Sequence, residues 1–181
     1  SEIELVIVGP EAILVTGLVD FLRSQQIAVF GPSQVASQLE GSKLFAKEFM
    51  RAVGVPTANF CAVHSVEDVQ LRAKEFSVPY VLKADGLASG KGVFVLNSYE
   101  ELLHSARAIF EQKSLGEAGQ NALLEEHLTG SELSLMLLTN GLAYQILPLT
   151  QDHKRLEEGD RGPNTGGMGV VGPLALSKEL L

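Results

Sequence analysis

The first thirty-two residues constrain the fold most. Leu5 to Val8 reads as a buried strand, Gly9-Pro10 as a turn, Leu14 to Leu22 as a helix, and Ile27 to Phe30 as a second strand closed by Gly31-Pro32. A single helical crossover makes the two strands parallel, and a lone parallel pair is not an independent sheet. The segment is therefore expected to be the tail of a larger α/β domain whose earlier strands precede Ser1. The lack of an initiator Met agrees with a chain cut from a longer polypeptide. With 45% hydrophobic and 20% charged residues the chain buries a core, which excludes a disordered protein.

Beyond Phe30 the texture changes. Ser33 and Ser42 are candidate N-caps, and Phe45, Phe49 and Val53 recur at helical spacing until Gly54-Val55-Pro56 ends the run. Ala58 to Val63 reads as strand, Ser65 opens a helix with Asp68 at the capping-box offset, and Tyr80 to Ala84 is strand again. A glycine loop, a strand Val93 to Leu96, a helix opened by Ser98 with Glu101, and a strand Ala122 to Glu126 complete a small α+β unit, its helices expected on one face. Leu133 to Leu138 and Ala143 to Ile146 flank Asn140-Gly141, a strong hairpin signal that predicts an antiparallel sheet. Gln151 to Gly172, with six of the 18 glycines, reads as a long binding loop.

Charge and cysteine content narrow the function. Lys plus Arg number 14 against 22 Asp plus Glu, a net charge of -8, which is the wrong sign for general attraction to a nucleic acid backbone. No apolar run approaches the roughly 18 residues that span a bilayer, so no membrane partner is expected. The single cysteine, Cys61, forms no internal disulfide and no cysteine metal cluster, and reads as a small core residue. A reducing, cytoplasmic setting is expected.

Three constellations carry chemistry. Lys83-Ala84-Asp85-Gly86-Leu87-Ala88-Ser89-Gly90-Lys91-Gly92-Val93 places one lysine in an apolar strand and another in a glycine loop, a combination suited to phosphate. It is not a Walker loop, because three residues separate Gly86 from Gly90 and a glycine follows Lys91. The loop alone is equally compatible with a mobile hairpin bearing solvated lysines. Lys43 adds a cation in the first turn of a helix, where the macrodipole favours an anion; a bound phosphate would resolve that conflict, and an ordinary surface lysine is the plainer reading.

Second, Leu123 to Glu132 sets Glu125 and Glu126 at a strand end, with Leu128 and Glu132 beyond. Acceptors for an adenine amine and for ribose hydroxyls, with a backbone donor for the ring, would make this a nucleoside site; solvated acids are the alternative. Third, Gln151-Asp152-His153-Lys154-Arg155 with Gly162-Pro163-Asn164-Thr165-Gly166-Gly167-Met168-Gly169 combines cations, one acid and glycine amides, suited to a small anionic substrate. His153 beside Asp152 is not a triad, since spacing supplies no nucleophile.

Taken together, VGPE, LEGSKLFAKEFM, VLKADGLASGKGV, LLEEHLTGSELS, TQDHKR and GPNTGGMG resemble the phosphoribosylamine-glycine ligase family, the glycinamide ribonucleotide synthetases of the ATP-grasp superfamily, from end to end of the chain. The resemblance implies an α/β and α+β chain: residues 1–60 ending a parallel-sheet N-terminal domain with its linking helices, 61–131 a small ATP-grasp subdomain with a glycine flap, and 132–181 the start of a larger antiparallel subdomain. It implies ATP and magnesium (or manganese) as cofactors, glycine and 5-phosphoribosylamine as substrates, and glycinamide ribonucleotide, ADP and phosphate as products in purine synthesis.

By motif position, the resemblance assigns Lys43, Lys83 and the flap residues Ser89, Gly90, Lys91 and Gly92 to ATP phosphates, the flap being mobile when empty. Glu125, Glu126, Leu128 and Glu132 fall to the nucleoside; Asp152, His153, Lys154, Arg155, Asn164, Thr165, Gly166 and Gly167 fall to substrate. Lys83, Asp152 and Arg155 are the expected catalytic residues. The metal ligands are expected after Leu181, which would leave this segment alone inactive, and the earlier sheet strands before Ser1, which would leave it poorly stable. Another ATP-grasp carboxylate-amine ligase, or a nucleotide-binding module without turnover, is the alternative, and a monofunctional parent and a multifunctional purine enzyme are both compatible with the segment.

Overall fold

A computed structural model describes residues 3–88, 90–159 and 161–175, with the backbone alone for Pro163 and Asn164. The chain divides into two compact units, Ser1–Leu128 and Thr129–Leu181.

The first unit opens with β1 (Val6–Ile7), α1 (Glu11–Leu14), α2 (Leu18–Ser24) and β2 (Val29–Phe30), and β1 pairs parallel with β2. The single helix expected over Leu14 to Leu22 is two, because Gly17 takes a left-handed conformation at φ +86° and caps α2. Ile7 stays 69% exposed, so this pair does not form a closed layer by itself. Ser33 caps no helix of its own; its Oγ accepts from the Ala36 N–H within a turn. Two helices follow, α3 (Gln38–Gly41) and α4 (Lys43–Val53). The Ser42 Oγ accepts from the Phe45 N–H at the start of α4, and Gly54 at φ +76° ends it.

The four-stranded sheet of this unit contains β3 (Phe60–Val63), β4 (Tyr80–Ala84), β5 (Val93–Leu96) and β6 (Ala122–Glu125), in the antiparallel order β3-β6-β4-β5. Its helices are α5 (Val66–Arg72) and α6 (Tyr99–Phe110). Both start as expected: the Asp68 N–H donates to Ser65 Oγ, and the Glu101 N–H to Ser98 Oγ. The carboxylates of Asp68 and Glu101 reach back to the N–H groups of His64 and Asn97.

Strand alternation gives the sheet two different faces. Cys61, Val63, Leu82, Ala122 and Leu124 join Val66 and Val69 of α5 and Leu102, Ala106 and Ile109 of α6 in one core cluster. Leu82, Leu102 and Leu124 are fully buried, each such side chain contributing about 1.5–3 kcal/mol through the apolar area it removes from water. The alternate residues Phe60, Lys83 and Glu125 fall on the opposite face. That face meets α4, so it is shielded without being apolar.

In the second unit β7 (Leu137–Thr139) and β8 (Tyr144–Ile146) form the expected hairpin, with Gly141 at φ +86° and Asn140 Oδ1 accepting from the N–H groups of Leu142 and Ala143. The loop expected over Gln151 to Gly172 is instead a hairpin of β9 (Gln151–Glu157) and β10 (Arg161–Val171). Its sequence hides the strands because β9 is polar apart from Leu156, so no apolar alternation marks it, and because the glycines of β10 serve an irregularity in the register. Asn164 pairs with Arg155 and Gly169 with His153, which leaves Thr165 to Met168 as an insertion opposite Lys154.

Candidate functional site

In the first unit the expected site residues converge on the α4 side of the sheet. Glu125 lies opposite Val81, and Lys83 is two residues farther along β4, so the two side chains are diagonal neighbours on one face. The Lys83 ammonium pairs with Glu125 Oε1. Lys47 of α4 pairs with Glu125 Oε2 at 2.7 Å, and the Glu125 side chain is only 5% exposed. Lys47 also donates to the Ala58 carbonyl at 3.3 Å and lies 5.6 Å from the centre of the Phe60 ring, over which Arg51 sits as well.

Lys43 belongs to the same cluster. Its ammonium donates to the carbonyls of Asp85 (3.3 Å) and Gly86 (3.1 Å), just after β4. Burial holds its pKa below the usual lysine value; Asp85 opposes that shift and Lys83 adds to it. The anion needed at the N-terminus of α4 is already supplied by the chain. Asp85 Oδ1 accepts from Ser42 Oγ at 2.9 Å and from the Leu44 N–H at 2.8 Å. Asp85 thus places a carboxylate at the start of α4, and Lys43 lies beside Lys83.

The two adjacent acids separate. Glu125 faces the lysines, whereas both Glu126 oxygens accept from Asn59, through its backbone N–H and its Nδ2, each at 3.0 Å. Leu128 is 65% exposed. Of the flap, Ser89 lies outside the described residues, Gly90 is exposed at φ +78°, and Lys91 is exposed. Gly92 is buried, and a Cβ there would stand 2.9 Å from Ala88 Cβ and 3.3 Å from Ala84 Cβ. Close packing therefore requires this glycine, whatever the loop binds.

In the second unit the hairpin gathers the remaining residues. Asp152 and Arg155 are half-buried, and His153 and Lys154 are exposed. Asp152 Oδ1 is buried without a hydrogen-bond partner among the described residues, and it lies 3.1 Å from where a Cβ of Gly167 would stand. Gly167 has φ +128°, so glycine is required there on both counts. Arg155 Nη1 donates to the Gly162 carbonyl at 2.8 Å, Thr165 Oγ1 donates to the Lys154 carbonyl at 2.9 Å, and the Gly167 N–H donates to Thr165 Oγ1 at 3.1 Å. These bonds shape the insertion. Asn164 contributes its backbone to the hairpin, and Gly166 is exposed. Glu132 and Lys154 form a solvent-exposed pair at 3.4 Å, a geometry that adds little stability.

Sequence reasoning did not single out Lys47, Asp85 or Asn59. The lysine had a usable signal, since Lys43 and Lys47 at i and i+4 share one helix face. The partners of Asp85 and Glu126 are 41 and 67 residues away, and no local pattern reports them. A groove of about 620 Å³ lined by His64, Glu67, Phe110, Lys113, Glu117 and Gln120 holds none of the expected residues. Three cations and two carboxylates around Lys83 suit an anion better than this groove does.

Residues 1–40 match the family model described as phosphoribosylglycinamide synthetase, N domain, and residues 41–181 match its ATP-grasp (A) domain. The chain is 45% identical to a phosphoribosylamine-glycine ligase of Rhodopirellula baltica, with 99% of this chain and 42% of that protein aligned. It is 47% identical to the human trifunctional purine biosynthetic protein adenosine-3, over all of this chain and 18% of that one. The crystal structure of phosphoribosylamine-glycine ligase from Thermotoga maritima superposes with a TM-score of 0.76 at 43% identity, covering 90% of this chain and 41% of that one. The chain thus spans less than half the length of these relatives, and no described helix is long and apolar enough to cross a membrane. With both family models matching in order across its whole length, the parallel pair, the antiparallel sheet and the lysine cluster are those of a member of the phosphoribosylglycinamide synthetase family.

Proposed function

We propose that this chain is the nucleotide-handling segment of an ATP-dependent ligase that joins glycine to 5-phosphoribosylamine. The observation that carries the reading is the convergence of Lys43, Lys83 and Glu125 on one shielded sheet face, within a segment matching the family's ATP-grasp domain. A glycine carboxylate is a poor electrophile, and transfer of the γ-phosphoryl group to one of its oxygens, with ADP leaving, supplies a leaving group. The amine of phosphoribosylamine then attacks the acyl carbon, phosphate departs with the bonding electrons, and the nitrogen loses a proton. The product is glycinamide ribonucleotide.

In this reading the residues divide the work. Lys43 and Lys83 supply charge where phosphoryl transfer concentrates it, in a site whose partial burial strengthens the attraction. The carboxylate of Glu125 is an acceptor that suits the amine of adenine, and Leu128 offers its backbone; Glu126 and Glu132 are assigned to the nucleoside by motif position. The loop from Ser89 to Gly92 covers the phosphates and excludes water that would hydrolyse the acyl phosphate. Asp152, His153, Lys154, Arg155 and the insertion Asn164 to Gly167 receive the small substrates, with Asp152 and Arg155 assigned catalytic roles by motif position. A reducing cytoplasm suits the free thiol of Cys61.

A divalent ion would neutralise phosphate charge in such a transfer. Among the described residues no group of three His, Cys, Asp or Glu side chains is arranged to hold one, so none is assigned to magnesium or manganese. The test is calorimetric titration of the chain with a non-hydrolysable ATP analogue. Saturable binding that Lys83→Ala weakens by about 10-fold or more, the worth of a charge-assisted hydrogen bond, is expected. Equal binding by the Lys83→Ala chain would refute the site. Glycine-dependent ADP release by the full-length ligase then separates turnover from a binding module.

A further inference from the structure

Lys47 has no part in the chemistry above, yet its side chain is better buried than that of Lys83. Its side chain is 12% exposed against 27% for Lys83, and Lys43 is half-buried. It forms an ion pair with Glu125 Oε2 while Lys83 pairs with Oε1, so cations from a helix and from a strand flank both oxygens of one carboxylate; the buried Oε2 has no hydrogen-bond partner among the described residues, so the hold of Lys47 on it is electrostatic. The Ala58 carbonyl and the Phe60 ring fix the ammonium from behind. Stability alone does not account for such a group, because apolar side chains of similar volume would fill the site without the cost of desolvating three charges.

The clamp has a geometric consequence. A carboxylate bound at one oxygen turns freely about its last torsion, which is broad. Bound at both, it holds one plane. Glu125 retains lone pairs beyond the two that the lysines use, since a carboxylate offers about four acceptor sites. Lys47 also prevents Lys83 from taking both oxygens. One carboxylate shared between two lysines leaves a net positive charge, and Lys83 remains available to an anion.

We infer that Lys47 is a positioning residue for the purine base: by holding Oε2 of Glu125 it aims the free acceptor of that carboxylate at the exocyclic amine of adenine. This rests on the reading of Glu125 as the base acceptor given above. Lys47 touches neither base nor phosphate, and its effect passes through Glu125.

The experiment compares the affinities of the full-length ligase for ATP and for purine riboside triphosphate, which lacks only the 6-amino group. The unaltered enzyme is expected to prefer ATP by about 10- to 100-fold, the worth of a hydrogen bond to a charged acceptor. Lys47→Met is expected to bring that ratio close to one, and Lys47→Arg, which keeps the charge, to retain most of it. A general loss of structure lowers both affinities and leaves the ratio unchanged, so the ratio isolates the positioning role. Lys47→Gln serves if the Met variant does not fold, and is expected to lose at least about half of the preference on a logarithmic scale, because a neutral side chain replaces the charge that holds Oε2. An unaltered ratio in whichever of these two variants folds overturns the proposal. A ratio near one in the unaltered enzyme overturns instead the assignment of Glu125 to the base.

Discussion

Replacing Glu125 by alanine would show how far the lysine cluster is removed from water. Lys47 Nζ lies 2.7 Å from Glu125 Oε2, and at an effective dielectric constant of about 20 such a pair attracts by ~6 kcal/mol. Desolvating two nearly buried charges returns several kcal/mol of that. Alanine removes the attraction but not the cost of burying Lys47, and it leaves Lys47 and Lys83 facing one another across a vacated site. The expected loss is about 3–5 kcal/mol, a large share of the roughly 5–15 kcal/mol by which a domain is stable. Urea unfolding followed by circular dichroism is the assay, because guanidinium would screen the charges being tested. With m near 2 kcal/mol per molar, the midpoint falls by about 1.5–2.5 M at constant m. Replacing Lys47, Lys83 and Glu125 together by Met, Met and Leu is expected to recover most of the loss. A loss below about 1 kcal/mol for Glu125→Ala, the value of a solvent-exposed pair, would refute the reasoning.

Other perturbations probe different parts of the first unit. Gly92→Ala places a methyl 2.9 Å from Ala88 Cβ and 3.3 Å from Ala84 Cβ, and a cost of about 1–3 kcal/mol in the same unfolding assay is expected; no change would mean that the loop yields freely. Asp85→Ala removes the acceptor of the Leu44 N–H and of Ser42 Oγ at the start of α4, and a loss of about 1–2 kcal/mol is expected, with hydrogen exchange of the α4 amides rising first. Unchanged exchange there would show that Ser42 alone caps the helix. Burial raises the Cys61 thiol above its ordinary 9.0, and the nearby Arg72 guanidinium only partly opposes this. The folded chain then keeps a proton that the unfolded chain releases, so this contribution is intact below pH 9.0 and is lost as pH rises through the folded value. Stability measured from about pH 8 to 10 is expected to fall faster for the unaltered chain than for Cys61→Ala; parallel curves would contradict it.

The sequence determined by itself whatever depends on neighbours along the chain. Ser42, Ser65 and Ser98 mark helix starts because a cap bonds an N–H three residues on. Asn140-Gly141 marks a hairpin because only a few residues tolerate its backbone. The motifs around Lys43, Lys83 and Glu125 were legible as candidates for one site, though residue order alone did not place them together. Tertiary structure decided the rest. It set Glu125 rather than Glu126 against the lysines, because the register of β6 on β4 turns only the former to that face. It recruited Lys47 and Asp85 from afar, and it made strands of Gln151–Glu157 and Arg161–Val171, where cross-strand pairing outweighs a sequence that lacks apolar alternation. Local patterns report hydrogen bonds a few residues long; the charge pairing that shapes this site closes loops of more than forty residues, and only the packed sheet specifies those.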